Sequence, residues 1–321
     1  AGLLGNPSDG YFGKTISIIV ANFGAHVLLY ETPELRIESS DSDRNVYKNA
    51  YDLVERIGSL GYYGGDRLIK AAIRKFFTYC MENNIKLDYR NFSIRYNSSI
   101  PRQVGLGGSS AIVTATMRAL MKFFKVTIPK ELLPSLILAA EVDELGINAG
   151  LQDRVIQVYE GCVYMDFNRE IMEQKNHGIY IPLDKNKLPK LYLAYKTSLS
   201  KVSGRVLNDI KVRYERGDPE VIACLSRIAE LAEEGKAAIE NGDEATLNRL
   251  INENFDNRKK IMTISESNQE MIDVARECGA SAKFAGSGGS IIGIYKDDAM
   301  LNRLIVNLKK INARVIKPYI V

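Results

Sequence analysis

Histidine and cysteine are scarce in this chain: two histidines, His26 and His177, and four cysteines, Cys80, Cys162, Cys224 and Cys278, among 321 residues. None of the cysteines sits in a C-x-x-C pair, so neither a zinc ribbon nor a dense disulfide framework is available, and a reducing, cytoplasmic setting is expected. Histidines this few and this far apart argue against metal centres and against Ser-His or Cys-His nucleophile systems. Any catalysis has to run on carboxylates, backbone amides, Lys, Arg and a bound ion. An excess of one charge is missing as well. Forty-three Lys and Arg against 39 Asp and Glu leave a formal charge of +4, too little to argue for a nucleic-acid or membrane surface. The richest basic cluster, Arg258-Lys259-Lys260, reads as a solvated helix face. The longest apolar stretch, residues 16–30, is broken by Asn22, Gly24 and His26 and is no membrane span. No cleavable signal is visible. The opening Ala1-Gly2-Leu3-Leu4-Gly5 has no Met and begins inside an apolar run, so further residues are expected upstream.

What is present is the composition of an ordinary globular protein, 45% hydrophobic and 26% charged. At roughly 150 residues per domain, the length fits one large domain or two moderate ones. Strands are expected at 16–20, 25–30 and 35–38, and an antiparallel sheet is the natural reading of such consecutive short strands. Apolar residues at Leu68, Ala71, Ala72, Phe76 and Tyr79 have helical spacing. Alternation predicts a strand at 92–96, helices follow at 110–124 and 132–145, and short strands at 163–167 and 191–195. The polar stretch 168–190, with Pro182 and Pro189, is the best place for a domain boundary. Residues 205–277, rich in Glu, Lys, Arg, Ala and Leu, predict roughly three helices. The chain ends as strand (291–295), helix (298–309) and strand (314–320). This order indicates an α+β protein of two packed domains.

The sharpest chemical signal is Pro101-Arg102-Gln103-Val104-Gly105-Leu106-Gly107-Gly108-Ser109-Ser110-Ala111, between a predicted strand and a predicted helix. Its glycines allow a tight turn and close approach of a ligand. The free amides and positive dipole end of the next helix make an anion site, most naturally for phosphate. Ser109 and Ser110 add hydroxyls as donors or as ligands for a divalent cation. No Lys follows the glycines as a Walker A loop requires, and Ser110 stands where the dinucleotide fingerprint has its third glycine. A ligand-free connection is the bland alternative, although a turn needs less. A second Gly cluster, Ala282-Lys283-Phe284-Ala285-Gly286-Ser287-Gly288-Gly289-Ser290, precedes an apolar run and is weaker evidence, because hairpins also gather glycine. Two carboxylates lie among apolar residues. Glu141 follows Ile137-Leu138-Ala139-Ala140, and Asp153 lies in Gly150-Leu151-Gln152-Asp153-Arg154 before Val155 and Ile156. A charge so placed is paired or binds a cation. Asp153 is thus either a proton acceptor near the phosphate site or half of a buried salt bridge with Arg154 or another Arg.

These segments resemble a family. Residues 101–111 resemble the second signature of the GHMP kinases, P-x-x-x-G-L-G-S-S-A, with a Gly at one interior place. Residues 282–290 resemble the third signature, and Gly5-Asn6-Pro7-Ser8-Asp9 an altered first one, all in family order across essentially the whole chain. Within the superfamily the wording is closest to the plant-type glucuronokinases. That likeness is carried by Leu4-Gly5-Asn6-Pro7-Ser8-Asp9, Gly61-Tyr62-Tyr63-Gly64-Gly65, Ile100-Pro101-Arg102-Gln103, residues 146–154, and Asn254-Phe255-Asp256 with Arg258.

The resemblance implies a two-domain GHMP kinase fold. An N-terminal domain resembling the second domain of ribosomal protein S5 would span 1–180 and carry the phosphate loop, and a ferredoxin-like domain would span 181–321. ATP and the acceptor would meet in the cleft between them. The amides of Gly105, Leu106, Gly107, Gly108, Ser109 and Ser110 would hold the nucleotide phosphates, and the Ser110 hydroxyl with Glu141 would hold Mg2+. Asp153 would be the base acting on the anomeric hydroxyl. Asp9 and Asn6 would bind the sugar, and Gly286, Ser287 and Gly288 would close over it. Phosphoryl transfer depends mainly on positioning and charge stabilisation, which suits a chain poor in histidine. The implied reaction is ATP- and Mg2+-dependent conversion of D-glucuronic acid to its 1-phosphate. A uronate carboxylate calls for a planar Arg fork, for which Arg102 and Arg258 stand as the choices. The expected partners are ATP and a small sugar or sugar acid, with no nucleic acid and no membrane, in a monomer or homodimer. Tyr62 and Tyr63 are conceivable stacking partners for adenine. One departure stands out: the basic residue that the family places just before the first signature would precede Ala1. Lys14 is the nearest visible cation and is not assigned that role. Other readings are a kinase for a heptose, fucose or galactose, a catalytically silent sugar sensor, and, against the failed fingerprint, a nucleotide-binding oxidoreductase.

Overall fold

The computed structural model describes residues 1–38, 64–197 and 204–321. In chain order the elements are β1 (Gly2–Leu4), β2 (Lys14–Ile18), β3 (Ala25–Glu31), β4 (Arg36–Glu38), α1 (Gly65–Glu82), β5 (Phe92–Ser98), α2 (Gly108–Phe124), α3 (Leu133–Val142), α4 (Gln152–Tyr159), β6 (Cys162–Asp166), α5 (Arg169–Lys175) and β7 (Ile179–Leu183). Then follow β8 (Leu191–Lys196), α6 (Gly204–Glu215), α7 (Pro219–Asn241), α8 (Glu244–Ile261), α9 (Glu266–Glu277), β9 (Lys283–Phe284), β10 (Ser290–Ile294), α10 (Asp298–Lys310) and β11 (Ala313–Ile316). Mixed helices and sheets confirm the α+β class. None of the described helices is long and apolar enough to cross a membrane.

The chain forms two compact units drawn from interleaved stretches: Ala1–Asn22 with Pro101–Gly107 and Gly150–Val321, and Phe23–Ile100 with Gly108–Ala149. The first unit holds two antiparallel sheets, of strand order β1-β2-β6-β7 and β11-β8-β10-β9. Strands β8 and β10 are buried along their whole length. Tyr192, Ala194 and Ile291 from these strands form one core with Phe255 of α8, Met271, Ile272 and Ala275 of α9, and Leu301, Leu304 and Leu308 of α10. Burial on both faces explains why these strands read as continuous apolar runs. Helices α7 and α8 form an antiparallel pair that packs on β1 and β2. Asp218 caps α7 by accepting from the Glu220 and Val221 amides, with Pro219 in the first turn, and Asp243 caps α8 by accepting from Thr246 N.

The second unit is a sheet of order β3-β5-β4 packed with α1, α2 and α3. Its core centres on an aromatic cluster of Phe76, Phe77, Phe92, Phe123 and Phe124 with ring centroids 4.9–6.1 Å apart.

The expected single antiparallel sheet of the first strands is not formed. Strand β2 pairs with β1 and β6 in the first unit. Strand β3 pairs antiparallel with β5, and β4 runs parallel to β5 in the second. Burial separates the two cases: β2 is covered from Thr15 onward, whereas β3 alternates, with His26, Leu28 and Tyr30 exposed. The polar stretch 168–190 carries α5 and β7, and β7 pairs with β6 to complete the first sheet.

Candidate functional site

Within the first unit, two glycine-rich segments almost two hundred residues apart touch through their backbones. A Cβ built on Gly286 would lie 2.1 Å from the Gly105 carbonyl oxygen. One built on Gly105, where φ is +68°, would lie 2.8 Å from Gly288 O and 2.9 Å from Ser287 N. No side chain fits at either place, so glycine here is the condition for the contact. Both loops are braced from outside. The Gln157 side chain on α4 donates to Gly107 O at 2.9 Å, and Gly289 N donates to Asn268 Oδ1 on α9 at 3.0 Å.

The first signature is tied to the third. Gly5 N donates to Asn254 Oδ1 at 2.7 Å, and Asn254 Nδ2 donates to Asn6 O at 3.2 Å. Asn6 is buried, its Nδ2 donating to Phe284 O at 3.3 Å. Lys283 lies under these groups at 1% exposure and donates to Gly2 O and Phe284 O at 2.8 Å and to Asn6 Oδ1. Burial holds its ammonium well below the usual lysine range, and the nearby Arg258 charge lowers it further. The sequence reading gave Lys283 no role. Its signal was a lone lysine inside the apolar run Ala282-Lys283-Phe284.

Asp9 sits in the short helical turn Ser8–Tyr11, half-buried, its Oδ2 accepting from Gln152 N at 3.2 Å. A Cβ on Gly150 would fall 2.0 Å from that oxygen, so glycine at 150 makes room for the carboxylate. Burial raises the Asp9 pKa above the ordinary carboxylate value and the Asp153 charge adds to this; the Gln152 amide and Arg154 oppose it. Asp153 occupies the first turn of α4 with its side chain 29% exposed, 4.0 Å from Nη1 of Arg154. That guanidinium is itself buried and donates to Gly150 O at 2.9 Å. Asp153 thus has an arginine neighbour at the limit of an ion pair and remains partly accessible.

The basic cluster divides. Lys259 and Lys260 are exposed, but Arg258 is 2% exposed. It belongs to the buried face of α8 with Leu247, Ile251, Asn254, Phe255 and Ile261, a helical repeat that the run of three cations obscured. Its Nη1 donates to Gly286 O at 2.9 Å, its Nε points to Met262 Sδ at 2.9 Å, and its guanidinium lies 5.2 Å from the Phe284 ring centroid. Arg102 is exposed just before Gly105, and Ser287 and Gly288 complete the second glycine loop. Lys14 is taken up by ion pairs with Glu233 at 2.6 Å and Asp166 at 4.0 Å. Tyr62 and Tyr63 lie outside the described residues.

In the second unit, α2 begins at Gly108, with Ser109 half-buried and Ser110 buried at 1% exposure. Glu141 is fully buried near the end of α3, where it is the one charged residue. Among the described residues no three His, Cys, Asp or Glu side chains are grouped to hold a metal by themselves. One carboxylate and one hydroxyl suit instead an ion such as Mg2+, which keeps water and takes phosphate oxygens for the rest of its shell.

Comparison with known proteins decides the family. The GHMP kinases N terminal domain model matches residues 67–161, and the GHMP kinases C terminal model matches residues 236–313. The chain belongs to the GHMP kinases. Among curated GHMP-type relatives, Glucuronokinase 1 of Arabidopsis thaliana is 45% identical over 297 residues, covering 91% of this chain and 82% of the relative. Probable glucuronokinase 2 of the same plant is 46% identical over 298 residues, covering 91% and 81%. Among solved structures, the Lin0012 protein of Listeria innocua superposes with a TM-score of 0.81 at 16% identity, covering 100% of this chain and 95% of that one. The two-domain GHMP kinase fold and a sugar-kinase activity follow for this protein.

Proposed function

We propose that this GHMP kinase transfers the γ-phosphoryl group of ATP to the anomeric hydroxyl of D-glucuronic acid, giving D-glucuronic acid 1-phosphate and ADP. The observation that carries the substrate is the near-full-length identity to the two Arabidopsis glucuronokinases. The juxtaposed glycine loops and the Asp9–Asp153 pair support the chemistry.

In this reading the amides from Gly105 to Ser110, with the N-terminal end of α2, bind the nucleotide phosphates. Asp153 accepts the proton of the anomeric hydroxyl as that oxygen bonds to the γ-phosphorus and the bond to ADP breaks. Arg154 orients the carboxylate of Asp153. Asp9 engages the sugar, and the Gly286, Ser287 and Gly288 loop covers it. Asn6, expected to engage it as well, is spent on Phe284 O and Lys283 and fixes the loop that carries Asp9. Ser110 and Glu141 would hold Mg2+, and a buried carboxylate and a buried hydroxyl are ligand types that ion accepts. When bound, Mg2+ would offset charge on the phosphate oxygens.

The test is a panel of D-glucuronate, D-galacturonate, D-glucose, D-galactose, L-fucose and a heptose 7-phosphate with ATP and Mg2+. D-Glucuronate should have the highest kcat/KM, and a chelator should abolish turnover. Equal or better turnover of a neutral sugar ends the glucuronate reading. Background turnover with every sugar revives the silent sensor.

A further inference from the structure

We infer that Arg258 is the receptor for the substrate carboxylate, and so the residue by which this kinase tells a sugar acid from its neutral counterpart. The inference rests on the sugar-acid reading above.

Three observations carry it. The first is burial without a counter-ion: at 2% exposure, Arg258 forms no ion pair with a carboxylate among the described residues. A guanidinium taken from water costs stability unless an anion meets it. The second is an incomplete set of hydrogen bonds. Nη1 and Nε have Gly286 O and Met262 Sδ, but Nη2 has no partner among the described residues. Lys283, a buried lysine that feels the Arg258 charge, has all three donors filled by Gly2 O, Asn6 Oδ1 and Phe284 O and has none left for a ligand.

The third observation is location. The carbonyl that Arg258 grips belongs to the Gly286–Gly288 loop, and its guanidinium is within electrostatic reach of the Asp9 carboxylate. It therefore stands between the segment assigned to the sugar hydroxyls and the loop assigned to cover the sugar. Desolvation pulls its pKa down to about 10, with Asp9 and Tyr11 opposing, so it stays a cation at neutral pH. A uronate supplies the partner that Arg258 lacks, one carboxylate, planar as the guanidinium fork is planar. The Phe284 face and the Gly286 bond hold the guanidinium still, which favours one ligand orientation. A sugar with a CH2OH group in place of the carboxylate would leave the cation unpaired, and buried polar sites reject such analogues strongly.

The experiment compares kcat/KM for acid and neutral sugars on the full chain with ATP and Mg2+. The pairs are D-glucuronate with D-glucose, D-galacturonate with D-galactose, and D-glucuronate with D-glucuronamide. The proteins are wild type, Arg258→Met and Arg258→Lys. Each acid-to-neutral ratio is read on one preparation, so partial unfolding cancels. The wild type should favour the acid, and Arg258→Met should lower that ratio by on the order of 10²-fold or more. Arg258→Lys keeps the charge and loses the fork, and should lower it by about tenfold. If the Met variant does not bind nucleotide, the Lys variant decides, and a wild-type ratio there overturns the inference. A Met variant that is slower on both sugars with an unchanged ratio also overturns it, while the glucuronate reading stands. Wild-type preference for D-galacturonate, with the ratio lost in Arg258→Met, ends the glucuronate reading and supports Arg258. A wild type indifferent between D-glucuronate and its amide overturns the carboxylate receptor outright.

Discussion

Asp153 and Asp9 are close enough to perturb one another, yet their surroundings differ, and in the proposed reaction that difference separates their roles. Asp153 is accessible and has Arg154 beside it, whereas Asp9 is held by a backbone amide in space opened by Gly150. Asp153→Asn should lower kcat by about 10²–10⁴-fold while ATP binding persists, because the amide cannot accept the proton. Steady-state kinetics with a direct nucleotide-binding measurement checks this; near-normal turnover removes Asp153 from the base role. For Asp9 the informative readout is stability against pH. Its folded-state pKa is raised, so the folded chain binds a proton more tightly there than the unfolded chain does. Below the unfolded value of about 3.9 both states are protonated and Asp9 brings no penalty. As pH rises through that value towards the folded one, stability is lost, and the loss is complete above it. Asp9→Asn keeps an acceptor for Gln152 N and carries no charge. It should therefore be more stable than wild type at neutral pH and equal to it at about pH 3, while its KM for the sugar rises. Urea denaturation across that range tests the sign. Residues of this kind were partly legible in the sequence: Glu141 and Asp153 showed as charges among apolar neighbours. Arg258 stood as a choice for the substrate carboxylate, but its burial was not legible, because a run of three cations suggests solvent and only the period of Leu247, Ile251, Phe255 and Ile261 reveals the buried face.

At the scale of elements, the two glycine loops act as one unit because their backbones touch. Gly286→Ala would put a methyl group 2.1 Å from Gly105 O, and both loops would have to move. A displacement of about 1 Å costs on the order of 10²-fold in positioning-dependent catalysis. We expect that loss in kcat/KM for ATP with the far-ultraviolet circular dichroism spectrum unchanged; wild-type kinetics would mean that the loops do not set the nucleotide site. Elements themselves were readable where the apolar period was clear, as for α2 and α10. Their partners were not. Strands β2 and β3 are consecutive, yet they enter different sheets, because alternation records how many faces are covered and says nothing about which strand covers the edge. The short helix α4, which carries Asp153, was hidden by its length of 8 residues, too short for a clear 3.6-residue pattern.

For the whole molecule, the scarcity of cysteine and histidine has a physical counterpart. All four cysteines are free and buried, and burial pushes the Cys162 thiol up to about 12. A native sample should therefore react slowly with a thiol reagent such as DTNB and release four equivalents only after denaturation, with activity independent of reductant. Rapid native reaction or fewer than four thiols after unfolding would contradict this. The units themselves interleave, the first being assembled from Ala1–Asn22, Pro101–Gly107 and Gly150–Val321.

The sequence by itself determined the three signature loops, their order and the family, because each is written in short local patterns. Tertiary structure decided which of those patterns meet. The backbone contact of Gly105 with Gly286, the tie of Asn6 to Lys283, and the burial of Arg258 without a carboxylate join positions far apart in the chain. Burial and charge pairing depend on which faces pack together, and no local period records that.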